Sequence, residues 1–100
     1  MKYTETERIE KLRAFLEKPE GEKREHMEIL AEILLKALNK GAIKTRIVYG
    51  GNLNFKMFDS YLKELGASGL IERCGSLFKT TEKGLEFLDH FEKLIEILEG

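Results

Sequence analysis

The sequence predicts a mainly α fold carrying one small β-hairpin, and three observations predict it. Apolar residues recur at steps of three and four over most of the chain, the mark of amphipathic helices. Late in the chain that rhythm shortens: Leu70, Ile71, Leu77 and Phe78 flank Cys74, Gly75 and Ser76, which fits two short strands joined by a tight turn. The length, 100 residues with 42% hydrophobic content, suits one modest core and not two independent ones.

The elements follow in order. Thr4 stands three residues before Glu7, a capping-box spacing, and Ile9, Leu12, Phe15 and Leu16 then form one stripe. This predicts an accessory helix within residues 1–20, stopped by Pro19 and Gly21. Alone it is marginal in water, so its stripe needs a partner in this chain or another. From Glu22, apolar residues at Met27, Leu30, Ile33, Leu34, Ala37 and Leu38 predict the central helix, with Gly41 as its C-terminal stop.

The stretch AIKTRIVYG reads as a compact unit leading into GNLNFKMFDSYLKELGASG. In the second piece Phe58, Leu62 and Leu65 share a face, with Tyr61 beside it, and Asn54 sits where an N-cap oxygen satisfies free N–H groups. Met57 and Tyr61 are expected to pack at the core or its edge. The glycine pair in YGGNLNF supplies backbone freedom for a corner between short helices. A phosphate loop would need a preceding strand and a following Lys-Ser/Thr pair, and the stretch has neither.

Beyond the hairpin, Thr81 is placed to cap a final helix whose apolar positions are Phe87, Leu88, Phe91, Leu94, Ile95 and Leu98. Leu85 and Leu88 are expected to complete the domain core. Phe87, Phe91, Leu94 and Leu98 step by four, three and four, a coiled-coil seam that predicts a homodimer, with Ile95 in the same interface. The stripe of Ile9, Leu12 and Leu16 is expected to pack on this seam, within or across subunits.

Charge is unevenly distributed. The total is -1, yet residues 36–80 hold eight bases against three acids, a balance of +5. Residues 1–35 stand at -2 and residues 81–100 at -4, so acidic ends enclose a basic centre of the kind that steers an anionic partner. Charged residues make up 35% of the chain, nearly all the acids are Glu, and Gln and Trp are absent, a bias found in thermophile proteins.

Several function classes find little support. Cys74 is the only cysteine, which excludes an internal disulfide, and with His26 and His90 it makes no zinc spacing. No paired nucleophile and base, metal set or cofactor fingerprint is evident, so no enzymatic activity and no cofactor are expected. No apolar run reaches a membrane span, and MKYTETERIEK lacks a secretory apolar region, so a cytoplasmic location is expected. Cys74, His26 and His90 read as exposed residues.

The order of helix, short helix, turn, helix, strand, turn, strand, helix is that of a winged helix-turn-helix, in which the second helix of the turn unit enters the major groove and the hairpin lies beside it. The expected divisions are an accessory helix at residues 1–20, the winged unit at 22–80 and a dimerisation helix at 81–100. KTRIVY, NLNFKMFDSYLKEL, GLIE and KTTEKGLEFL also resemble the archaeal winged-helix DNA-binding proteins typified by a ten-kilodalton crenarchaeal chromatin-associated protein. The similarity runs from about Ile29 to Leu98. It implies binding of double-stranded DNA, operator-type or sequence-tolerant, by a homodimer joined through its C-terminal helices as an antiparallel coiled coil.

By that resemblance Lys44, Thr45 and Arg46 match the family's KTR and open the first helix of the turn unit, where basic side chains and N–H groups meet phosphate. Leu53 matches a core leucine. On the next helix Phe55, Lys56, Asp59, Ser60 and Lys63 lie opposite the apolar face and, with Asn54, are candidates for the groove. Asp59 is the exception in charge: a carboxylate there accepts from a cytosine amino group or repels phosphate, and its spacing to Lys56 and Lys63 allows local ion pairs. Arg73 and Lys79 are the wing's bases. Gly50, Ala67 and Ser68 depart from more polar or charged residues in relatives, which points to weaker phosphate binding. The competing expectation is a winged helix that serves as a protein-interaction module, favoured by the acidic ends.

Overall fold

Residues 28–35 are buried without a break, and the helix that contains them, α1 (His26–Lys36), is the axis of the fold. A helix covered all round needs neighbours on every side, and the rest of the chain supplies them. The computed structural model describes Glu10, residues 12–14, Leu16, residues 26–50 and residues 55–99. After α1 come β1 (Ala42–Ile43), α2 (Lys44–Gly50), α3 (Phe55–Ala67), β2 (Ile71–Cys74), β3 (Leu77–Thr80) and α4 (Glu82–Glu99). The described residues among 10–16 are helical. Of the expectations above, those for the Thr4–Glu7 capping box, for Ile9 and Phe15, for the stop at Pro19 and Gly21, and for Gly51, Leu53 and Asn54 lie outside the described residues.

One core joins these pieces. Ile33 and Leu34 of α1, Ile47 and Val48 of α2, Phe58 and Leu65 of α3 and Ile95 of α4 have almost no exposed surface. Leu12 and Leu16, from the N-terminal helical residues, are buried in the same cluster as Leu88, Phe91 and Ile95. Met27 departs from the predicted stripe: in the first described turn of α1, it is half exposed.

The sheet has three strands, not the two of the predicted hairpin. Its order is β1-β3-β2, antiparallel throughout, with Ala42 opposite Phe78 and Ile43 opposite Leu77. The reason lies at Gly41. The central helix stops at Lys36, earlier than predicted, and the chain turns through Asn39 (φ 60°) and Gly41 (φ 84°). A Cβ at Gly41 would stand 2.8 Å from the Phe78 carbonyl oxygen, so only glycine lets the backbone lie this close to β3. The two residues that follow extend against β3 before α2 begins. The hairpin itself closes over Gly75 and Ser76, with Gly75 at φ 64°.

Thr81 caps α4 as its position predicts: the Gly84 N–H donates to its hydroxyl oxygen at 3.1 Å. That hydroxyl in turn donates to the Gly69 carbonyl at 2.6 Å. Along α4, Gly84, Leu88, Phe91 and Ile95 turn inward, while Leu85, Leu94, Ile97 and Leu98 are exposed. Leu88 therefore completes the core without Leu85, which is 45% exposed.

Candidate nucleic-acid interface

α2 is short, and its burial is concentrated in Ile47 and Val48, which pin it to the core. Its first turn is thereby turned outward: Thr45 and Arg46 are exposed and Lys44 is partly so. The same logic places α3. Phe58 and Leu65 are fully buried, Leu62 is partly covered, and the opposite face presents Asp59, Ser60 and Lys63 to solvent. Phe55 and Lys56 open this helix. Met57 is 51% exposed, so it belongs to the outer surface and not to the core edge.

α3 is also held from the side. Nε2 of His26, at the start of α1, lies 2.9 Å from Glu64 Oε2, and the His26 and Tyr61 ring centroids are 5.3 Å apart. Sequence spacing gives no hint of this contact, because the partners are 38 residues apart.

Asp59 reaches beyond its own helix for an ion pair. It pairs with Lys44, whose Nζ lies 2.6 Å from Asp59 Oδ1 and 5.9 Å from the centroid of the Phe58 ring. Both ends are solvated, with side-chain exposures of 39% for Lys44 and 66% for Asp59, so the pair is worth about 0–1 kcal/mol.

The wing offers one base to this face, not two. Arg73 stands opposite Phe78 in the β2–β3 register and Glu72 opposite Lys79. Directly paired residues share a face and successive residues alternate, so Arg73 and Phe78 point one way, Glu72 and Lys79 the other. Arg73 is fixed where it stands: its Nε donates to the Gly75 carbonyl at 3.0 Å, and its guanidinium carbon lies 5.5 Å from the Phe78 ring centroid.

Between α3 and the wing these side chains line a cleft of about 640 Å³. Lys44, Lys63 and Arg73 supply positive charge, Asp59 the one carboxylate, and Ser76 a hydroxyl; Leu62 and Phe78 are its apolar walls. The structure thus brings Lys44, Lys63 and Arg73 together, with Thr45, Arg46 and Ser60 exposed outside the lining. Ser76 and the apolar pair escape sequence reasoning. The period-2 alternation that unites Arg73 with Phe78 is the signal from which part of the cleft could have been found.

The exposed end of α4 is a second feature. Leu94, Ile97 and Leu98 are 54%, 75% and 77% exposed. Phe91 and Ile95, expected at a subunit interface, are instead buried against the chain's own core, at 8% and 2%. The seam runs inward because α1 and α4 pack on each other along this side. Phe87 is partly buried and stacks on Phe91, with ring centroids 6.4 Å apart and planes 7° from parallel.

Among the described residues, no group of three or more His, Cys, Asp or Glu side chains is placed to hold a metal ion. Nor is any described helix long and apolar enough to cross a membrane.

Comparison with known proteins agrees with this geometry. A family model described as winged helix-turn-helix matches residues 23–99. Two uncharacterized proteins of Methanocaldococcus jannaschii are similar, one 34% identical and one 32% identical, each over 76 residues. The matched region is 76% of this chain and 78% of the first relative, but only 36% of the second. Among solved structures, Sso10a-2, a DNA-binding protein from Sulfolobus solfataricus, superposes with a TM-score of 0.64 at 31% identity, covering 76% of this chain and 83% of that one.

Proposed function

The chain belongs to the winged helix-turn-helix family, and from that premise we propose that it binds duplex DNA, with α3 in the major groove and the wing beside it. The observation that carries this reading is the cluster of cations around the outer face of α3: Lys44 from the preceding helix, Lys63 from α3 and Arg73 from the wing. Arg46, exposed on the first turn of α2, extends the cluster. The similarity to a DNA-binding protein of known structure supports the same conclusion. In this reading Lys44, Thr45, Arg46, Lys63 and Arg73 meet phosphate and set the register, while Asn54, Phe55, Lys56 and Ser60 are nearest the base edges. Lys79, on the other face of the wing, contributes through long-range charge.

The active species in this proposal is a homodimer acting as a transcriptional regulator or chromatin-associated protein. Its contact is formed by the outer stripe of α4: Leu94, Ile97 and Leu98 at the surface, Phe87 beside them, Phe91 and Ile95 beneath. Three large aliphatic side chains within two turns are an association surface more often than a solvated one.

Titration of labelled duplex DNA at two salt concentrations tests the reading, with wild type and an Arg46→Ala/Lys63→Ala double variant. Binding should weaken steeply with salt, and the double variant should lose affinity across all sequences and flatten the log-log salt slope by about 2. No binding by the wild type at low salt would reject it.

A further inference from the structure

We propose that the cleft between α3 and the wing is a phosphate site, and that Asp59 is its built-in competitor, occupying Lys44 until phosphate displaces it. The lining argues for the ligand. Three cations face one carboxylate across the cleft, so the site carries excess positive charge in the absence of any anion. Arg73 arrives pre-oriented, its Nε committed to the Gly75 carbonyl and its guanidinium carbon 5.5 Å from the Phe78 ring centroid. A guanidinium so fixed still has its terminal N–H donors for a phosphoryl oxygen. Ser76 adds a neutral hydroxyl donor at the turn.

Size and wall chemistry say that the phosphate comes attached to something. A cleft of about 640 Å³ has the size of a small-molecule site and far exceeds one small ion. Leu62 and Phe78 give it an apolar side suited to a sugar or base face. The chemistry is therefore that of a sugar phosphate, supplied by a DNA backbone or by a free nucleotide. Only the first source rests on the DNA-binding reading given above.

Asp59 sets the affinity. Its pair with Lys44 is solvated and weak, so an entering phosphate can take Lys44, but the released carboxylate remains at the cleft wall and repels the ligand. A neutral isostere keeps the helix and removes the competitor. Glu64, an exposed carboxylate of α3 outside the cleft lining, provides the matched control, because Glu64→Gln removes its charge while keeping a side-chain oxygen for the His26 contact.

The test compares the full chain with its Asp59→Asn, Glu64→Gln and Lys63→Ala variants, using two probes: a short mixed-sequence duplex and inorganic phosphate. Asp59→Asn should tighten duplex binding about fivefold, well beyond any gain from Glu64→Gln, and Lys63→Ala should weaken it. Phosphate alone should shift the backbone amide resonances of Lys63, Arg73 and Ser76, at lower concentration in Asp59→Asn. Phosphate shifts at those amides without duplex binding would support the cleft as a free-anion site while rejecting DNA as its source. Duplex binding with equal gains in Asp59→Asn and Glu64→Gln, or phosphate shifts confined to other residues, would overturn the cleft and leave the DNA reading standing. Failure of both probes would overturn both.

Discussion

The Thr80 hydroxyl, at the end of the wing, donates to the Leu34 carbonyl of the central helix at 2.6 Å, and the bond is buried. Its backbone N–H donates to the Ala37 carbonyl at 2.9 Å. The last carbonyls of a helix have no partner within it; here β3 satisfies that of Leu34 and, one residue past the helix end, that of Ala37, so the wing and the core helix are one unit. Thr80→Val keeps the shape but leaves the Leu34 carbonyl without this donor, and should cost about 1–3 kcal/mol in urea unfolding. Thr80→Ser should retain most of the stability. A loss in Thr80→Ser with none in Thr80→Val would mean that the methyl group, not the hydroxyl, matters.

Two helical glycines should respond to alanine with opposite signs. A Cβ at Gly84 would collide with the Leu70 carbonyl oxygen and come within 2.6 Å of Thr80 Cγ2, whereas one at Gly66 meets nothing within 4 Å. Gly84→Ala should therefore destabilise by about 1–3 kcal/mol despite the better helix propensity of alanine. Gly66→Ala should stabilise by about 0.5 kcal/mol. Thermal melts of the two variants check the pair, and a stabilised Gly84→Ala would contradict the tight packing of α4 on the base of the wing.

The N-terminal helical residues belong to the core in energetic terms. Leu12 and Leu16 are each only 3% exposed, and Leu16→Ala should cost about 2–4 kcal/mol. Removing residues 1–20 should lower the melting temperature or change the oligomeric state. An unchanged melting temperature and mass would mean that this segment's burial contributes nothing to the fold.

On α4, substitutions should separate folding from association. Ile95→Ala empties a core position and should lower stability in a monomer or a dimer alike. Ile97→Glu with Leu98→Glu changes residues that are three-quarters exposed, and should leave the fold intact while shifting the mass measured by light scattering to that of a single chain. A wild type that is monomeric at high concentration would reject the dimer contact.

Much of this arrangement is legible in the chain, for identifiable reasons. Phe58 and Leu65 point inward because spacing of three and four defines one face of α3, and the hairpin is marked by Gly75, whose positive φ suits the turn. The strand β1 is not legible: two residues have no periodicity, and Gly41 reads equally well as a helix stop. The pairing of Asp59 with Lys44 is hidden for a different reason. Helical spacing favours Lys56 and Lys63, and only the packing of α2 against the core brings Lys44, 15 residues away in sequence, to the carboxylate. Phe91 shows the limit of a heptad pattern, which marks an apolar edge without saying whether the chain itself or a second copy covers it.

Thr81 has a consequence for how any such dimer would measure its target. Its hydroxyl links the Gly69 carbonyl, just past α3, to the Gly84 N–H in the first turn of α4, and its own N–H bonds the Leu70 carbonyl at 3.1 Å. α3 and α4 are thus two arms of a caliper with a locked joint. In a dimer joined through α4, the span between the two reading helices is fixed by the fold, and DNA must present its grooves at that separation. Insertion of about half a turn, ~5 base pairs, between two preferred contact sites would place them on opposite sides of the duplex, and the locked joint could not follow.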